Sequence, residues 1–458
     1  MSAQHQKMRS SFLLFPVLLL SLTGFSSAQE GSVAFRVGTV ITMDGSTHSP
    51  GTVVVEQGRI TAIGGADLEI PFDVLLKEYP DATLFPGFAE THTSGGLDRA
   101  NENVPVAPFL DVKDSIDPVS YFFEDELRLG TTALGIIPGA NCVIGGRGRV
   151  VAPAGMTMEA MTLDDSMGMK IAIGPKSGWS RSAQMAELRE AVSKLNRDLR
   201  TKAQDILHHG AVKADALKAD EAGEDSEEDG DMWDSSGGYV RFGEDFPGKD
   251  LLSEEDVDET QRGLVDILNG DERLWLWCPT ATDVFHGKTW AEDLGLLDHI
   301  IFVVTASAWK AADLLMESGR PVTLTGSMWH VERDPVTWEE VRTFVPTVFH
   351  EAGLAFSLGS EKSRMGPHRL GYQAATCIRE GLPRAAALAA VTTNPAAMWG
   401  MEDQVGALKV NADGTFVLMD GDPLDIQSKV LQVWIRGSKV YDRNTDERLQ
   451  RLLKGQSR

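Results

Sequence analysis

The sequence predicts an α/β protein in which a (β/α)8 TIM-like barrel is inserted into a composite β-sandwich formed by the N- and C-terminal segments. Three observations lead there. Through the middle of the chain, short continuous apolar runs alternate with helical patterns, which is how parallel strands covered on both faces by helices read. Both ends are rich in Val, Ile and Thr and are broken by turn residues, as short antiparallel strands are. With 458 residues and 42% hydrophobic side chains, the chain has material for one large core or two ordinary domains.

Residues 1–28 hold Lys7 and Arg9, then an apolar run from Phe12 to Leu20, then Ser26-Ser27-Ala28 with small residues at a cleavage position. They read as an export signal. The mature chain is therefore expected to be periplasmic or extracellular and to lack a transmembrane segment, because no other stretch approaches the ~20 apolar residues of a spanning helix. The alternative is an uncleaved signal that stays as an anchor. Export permits disulfides, yet Cys142, Cys278 and Cys377 are odd in number and lack C-x-x-C spacing. They are read as buried thiols, with a single bridge as the alternative.

Val33 to Val40 and Thr52 to Ile63, broken at Asp44-Gly45 and Gln57-Gly58, form the N-terminal half of the sandwich over residues 29–82. The C-terminal half, over 401–445, takes Thr415 to Met419, Val430 to Ile435 and Lys439 to Tyr441, with Arg436-Gly437 as a turn, and 446–458 is a tail. The barrel, over 83–400, draws strands from Ala82 to Phe88, Thr131 to Ile137, Met169 to Ile173, Leu274 to Trp277, Ile300 to Val304, Pro321 to Leu324 and Leu354 to Ser357. An eighth falls between Cys142 and Pro153. A doubly wound sheet is the alternative to the barrel, whose chemistry would sit at the C-terminal ends of its strands.

Charge narrows the partners. Against 43 basic side chains stand 67 acidic ones, and the net charge of −24 repels a phosphate backbone, so nucleic acid is not expected as a partner. Residues 220–259 alone hold 17 Asp and Glu against Arg241 and Lys249. With few apolar residues to bury, the segment reads as a solvated, mobile insert, with Trp233 and Tyr239 placed to tether it. A cation-collecting or partner-docking role is the sharper reading of the same residues.

The most informative stretch is Thr83-Leu84-Phe85-Pro86-Gly87-Phe88-Ala89-Glu90-Thr91-His92-Thr93-Ser94, a strand that ends in a polar, His-bearing segment. Here the chain resembles the amidohydrolase superfamily, and within it the imidazolonepropionase-like group. The likeness runs on through Asn141 to Gly155, Met169 to Gly174, Trp309 to Asp313, Gly381 to Gly406, Asp420 to Asp425 and Val433 to Gly437. The resemblance implies a metal-dependent hydrolase of non-peptide C–N bonds in small cyclic or acyclic amides. In such a site a divalent cation, commonly zinc, lowers the pKa of bound water and polarises the carbonyl.

Carried over position by position, the ligand set that the resemblance implies is incomplete. Of the first-strand His-x-His pair, His92 is present and Ser94 stands in the second place. Lys170 matches the lysine that many members carbamylate. The remaining ligand positions fall on Pro279, Val304 and Gly359, so His92 is the one secure ligand that survives. A zinc site needs three protein ligands, and Ser, Pro, Val and Gly offer weak donors or none. No cofactor is therefore expected, unless a divalent metal is held by a rebuilt cluster of His92, Lys170, Asp283 and Glu361, with His286 nearby. The ordinary readings are helix-cap or first-turn acids for Asp283 and Glu361, a loop histidine for His286, and a strand-end histidine bonded to backbone for His92.

Other signals are weaker. Gly145-Gly146-Arg147-Gly148 reads as a turn over the barrel mouth or as an anion cradle. Ser94, Arg147, Thr305 and Glu361 are candidate pocket residues, and Trp275, Trp277, Trp309 and Trp329 line a pocket or pack in the core. His330, His350 and His368 lack ligand spacing, and neither a G-x-S-x-G elbow nor a P-loop occurs. Two functions remain open: an inactive, small-molecule-binding pseudoenzyme, or an active amide hydrolase remodelled around His92 and Lys170. Assembly as a homo-oligomer, or with a related amidohydrolase, goes with the first. A third class is a scaffold that uses the acidic insert to hold a basic partner or calcium.

Overall fold

The computed structural model describes residues 31–220, 238–360 and 369–455. The expected export signal, Trp233, Glu361 and His368 lie outside the described residues, as does much of the acidic insert. Among the described residues no helix is long and apolar enough to cross a membrane.

The N-terminal segment gives five strands: β1 (Val33–Ile41), β2 (Thr47–His48), β3 (Gly51–Glu56), β4 (Arg59–Gly65) and β5 (Leu75–Phe85). The middle contributes β6 (Phe88–Thr93), β7 (Thr131–Ile136), β8 (Ile144–Val151), β9 (Thr162–Ala172), β10 (Leu274–Trp277), β11 (Ile300–Val304) and β12 (Val322–Thr325). A hairpin, β13 (Trp329–Arg333) and β14 (Glu340–Phe344), precedes β15 (Phe356–Gly359). The chain closes with β16 (Phe416–Met419), β17 (Val430–Ile435) and β18 (Ser438–Asp442).

Both chain ends meet in one sheet of order β18-β17-β16-β5-β1-β3-β4, with β2 paired to β1. Its core is a packed set of aromatics in which Phe35, Phe416 and Trp434 lie within 6 Å of one another, ring centre to ring centre, and are fully buried. The second sheet runs β15-β12-β11-β10-β9-β8-β7-β6 and curls into a nearly closed barrel. From β9 through β15 its neighbours are parallel, and helices such as Glu259–Asn269 and Ala281–Asp293 return the chain between strands.

Two strands depart from the expected pattern. The run Ala82 to Phe88 is two strands, because Pro86 has no N–H for a ladder and Gly87 turns at φ +90°, where an added Cβ would meet the Thr132 side chain at 2.4 Å. β5 stays in the terminal sheet and β6 opens the barrel. The eighth strand, β8, is antiparallel to both β7 and β9, so no helix separates it from β7 and the strict βα alternation is broken.

The helix Arg181–Asp220 spans 40 residues, far more than a barrel crossover needs, and leads into the acidic segment. Beyond it, Val240, Leu252 and Val257 are buried in the main core, and the Tyr239 hydroxyl donates to Asp266 at 2.7 Å. Residues 238–259 thus pack on the body. Cys142, Cys278 and Cys377 are buried free thiols, so the reading without a bridge holds.

Candidate functional site

His92 and Lys170 come together inside the barrel. His92 lies on β6 and Lys170 on β9, opposite Trp275 of β10, and the lysine has no exposed surface. Lys170 Nζ stands 2.6 Å from His92 Nε2. The ammonium also sits 5.5 Å from the centre of the Trp277 ring, and the imidazole 5.9 Å from that of Trp275. Burial first, and the Lys170 charge second, hold His92 well below the ordinary imidazole value. The ring is therefore neutral, and its Nε2 accepts an N–H from the lysine. Two buried thiols border this pair. Burial pushes Cys142 up to about 11, against a smaller pull from the Lys170 charge, and raises Cys278 well above its usual value. Neither thiol is ionised at neutral pH, so neither offers a thiolate.

Glu90, two residues before His92, closes the seam between the first and last barrel strands. Ser360, directly after β15, donates its backbone N–H to both carboxyl oxygens at 2.9 and 3.1 Å, and the backbone N–H of His92 is a further donor to the group. Burial, helped by the Glu126 charge, pushes the carboxyl up to about 8. The acid is neutral under ordinary conditions. The sequence signal for Glu90 was a lone carboxylate within a strand that runs into the barrel, where a buried acid has to be either paired or protonated.

Several of the remaining candidates have structural partners. Gly359 ends β15, and a Cβ added there would stand 3.3 Å from Glu90 Oε1. Val304 is fully buried at the end of β11. The Thr305 hydroxyl donates to the Pro279 carbonyl at 2.7 Å and accepts from Ser307 N as a helix cap. Ser94 follows β6, half-buried. Asp283 forms a capping box with Thr280 and accepts Arg181 at 2.6 Å, which is the helix-cap reading of that acid. His286 lies on the same helix, half-buried, rather than on a loop. Arg147 is paired with Glu272 at 2.5 Å and Asp266 at 3.5 Å.

The Gly145-Gly146-Arg147-Gly148 run belongs to β8 and is not the expected turn. Its glycines admit close neighbours, since a Cβ on Gly146 would meet the Leu110 carbonyl at 2.5 Å and one on Gly145 the Lys170 Cβ at 3.1 Å. This lets the irregular segment Leu97–Ser115 lie against β8, bridging at Val106 to Ile144 and at Asp111 to Arg147. Between that segment and residues 138–146 is a cavity of about 220 Å³. Leu97, Leu110 and Ile144 supply apolar walls, and Asp98, Arg99 and Asn101 polar ones. Cys142 and Gly145 form part of its wall, and behind Gly145 lies the stem of Lys170. No residue pattern announced this cavity, because an irregular loop builds one side of it.

Residues 351–441 match the sequence pattern described as the Amidohydrolase family. The curated "Amidohydrolase tasK" of Hapsidospora irregularis is 35% identical over 95 residues, which are 21% of this chain and 10% of that protein. The chain thus spans about a tenth of that relative's length. An amidohydrolase from Thermotoga maritima MSB8 superposes with a TM-score of 0.68 at 22% identity, covering 90% of this chain and 100% of that one, a likeness of fold. The fold of the chain and the sequence of its C-terminal segment are thus similar to those of amidohydrolases. A zinc-bound adenosine deaminase from Xanthomonas campestris superposes at a TM-score of 0.47 and 17% identity, covering 93% of this chain and 97% of that one.

The divalent metal that an amidohydrolase barrel implies does not fit the residues present. The lone pair of His92 Nε2 faces an ammonium at 2.6 Å, and a cation at the usual ~2.0–2.1 Å from that nitrogen would collide with Lys170 Nζ in charge and in space. Among the described residues, no three His, Cys, Asp or Glu side chains converge to hold an ion.

Proposed function

We propose that this amidohydrolase-family protein has given up metal-dependent hydrolysis of non-peptide C–N bonds and serves as an exported small-molecule-binding pseudoenzyme. The observation that carries this reading is the Lys170–His92 contact. The one surviving ligand nitrogen is taken up by the Lys170 side chain, which leaves it no lone pair for an ion that would activate water. The cavity of about 220 Å³ against β8 is the binding place, with apolar walls for the body of a ligand and Arg99 and Asn101 for its polar end. Assembly with a second copy or with a competent relative belongs to the same proposal. Elemental analysis of the purified chain tests it: zinc well below one per chain is expected, and a tightly held stoichiometric ion would overturn it.

The same contact favours one other reading. An amine hydrogen-bonded to a neutral imidazole has the arrangement of a nucleophile and its base, which an active hydrolase of small cyclic or acyclic amides remodelled around His92 and Lys170 would use. Turnover of any amide or lactam that disappears in both His92→Ala and Lys170→Ala would establish it in place of the first.

A further inference from the structure

We propose that the cavity between the barrel and the terminal sheet binds an amphipathic organic anion, a carboxylate or phosphate ester with an apolar body. This cavity, of about 380 Å³, opens beside Phe88, the first residue of β6, whereas His92 stands near the other end of that strand. Its walls come from the helix Tyr121–Leu129, the start of the helix Leu370–Arg379, and β16 and β17 with the loop between them. Phe88, Leu129, Met419 and Val430 make the apolar part.

The charges are one-sided. Arg369 and Arg443 line the cavity, and among the described residues neither guanidinium has an ion-pair partner. Arg128, also in the lining, is already held by Asp446, Asp125 and Glu124, and Lys429 stands 3.9 Å from Asp420. The lining has one carboxylate, Asp425, whose Oδ1 accepts the Gln427 N–H of its own loop at 2.9 Å.

In a chain of net charge −24, acids are plentiful, and two arginines left without carboxylates around one apolar-walled cavity run against the composition. The helix Leu370–Arg379 adds to the same field. No side chain caps its N-terminus, and Gly371 and Tyr372 of its first turn line the cavity, so its positive end faces the same space. Guanidinium groups bind carboxylates and phosphates through paired N–H donors, and the apolar walls select an anion that carries hydrocarbon.

Calorimetric titration of the whole mature chain tests this, with octanoate, phenyl phosphate, inorganic phosphate and octanol as probes. Octanoate or phenyl phosphate is expected to bind once per chain, and which of the two binds tells carboxylate from phosphate ester. Octanol and inorganic phosphate, each lacking half of the chemistry, should bind far more weakly. Arg369→Gln and Arg443→Gln should each weaken binding at least about tenfold, as loss of a charge-assisted hydrogen bond does, with the melting temperature held. Arg99→Gln, at the other cavity, should leave it unchanged. The proposal fails if neither organic anion binds, if octanol or inorganic phosphate binds as well as they do, if both arginine variants bind like the parent, or if Arg99→Gln abolishes binding.

Discussion

Replacing Glu90 by Gln should flatten the pH dependence of stability. The carboxyl titrates at about 8 in the folded chain against 4.5 when unperturbed, and it is fully buried. Between those two values the folded state holds more proton than the unfolded chain, so stability is greatest below pH 4.5, falls as pH rises through the window, and levels off above 8. At about 1.4 kcal/mol per pKa unit, the whole excursion is on the order of 5 kcal/mol, a large share of the stability of an ordinary domain. Glutamine keeps a carbonyl oxygen for the Ser360 N–H but has no proton to lose. Urea unfolding of parent and variant at several pH values from 5 to 9 measures the effect, and the difference between the two curves cancels every other titrating group. The variant should gain on the parent steadily as pH rises. Parallel curves would refute the argument that the seam is closed by a protonated acid.

Three other outcomes follow from the site. Lys170→Met keeps the bulk but removes the ammonium, so His92 should lose one of the two causes of its depressed titration and move part of the way back toward the ordinary imidazole value, as read by NMR of labelled histidine. The same change strands a buried nitrogen and should cost about 2 kcal/mol in urea unfolding. Gly359→Asp puts a carboxylate on the last strand but should not create a zinc site, because Nε2 of His92 remains occupied and the new Cβ crowds Glu90; zinc titration should show no stoichiometric uptake, and the melting temperature should fall. Asp283→Ala removes the N3 half of the capping box of the helix Ala281–Asp293 together with the Arg181 pair, and should destabilise by about 1–2 kcal/mol while leaving ligand binding at the cavity on β8 unchanged, as checked by denaturation and titration.

The strands of the parallel part of the barrel were legible from apolar runs alone. Leu274–Trp277 and Ile300–Val304 have the bounds that composition suggests, since a strand buried on both faces must be apolar throughout. The antiparallel course of β8 was not legible. Direction is set by which neighbours exchange hydrogen bonds, and an apolar strand carries the same residues either way. The break at Pro86-Gly87 was written in the sequence in full, yet its consequence, one strand for each of two sheets, depends on the partners β1 and β16 on one side and β7 on the other.

What the sequence by itself determined is the inventory: which strand ends have a nitrogen or oxygen donor and which have a proline, a valine or a glycine. That follows from chemistry that no fold can alter. Tertiary structure alone decided what the surviving groups do. Lys170 and His92 are 78 residues apart, Glu90 and Ser360 are 270 apart, and neither pair has a spacing that announces it. Curling the sheet brings them within hydrogen-bond reach in the buried interior, where a lysine takes the imidazole lone pair and a carboxyl keeps its proton.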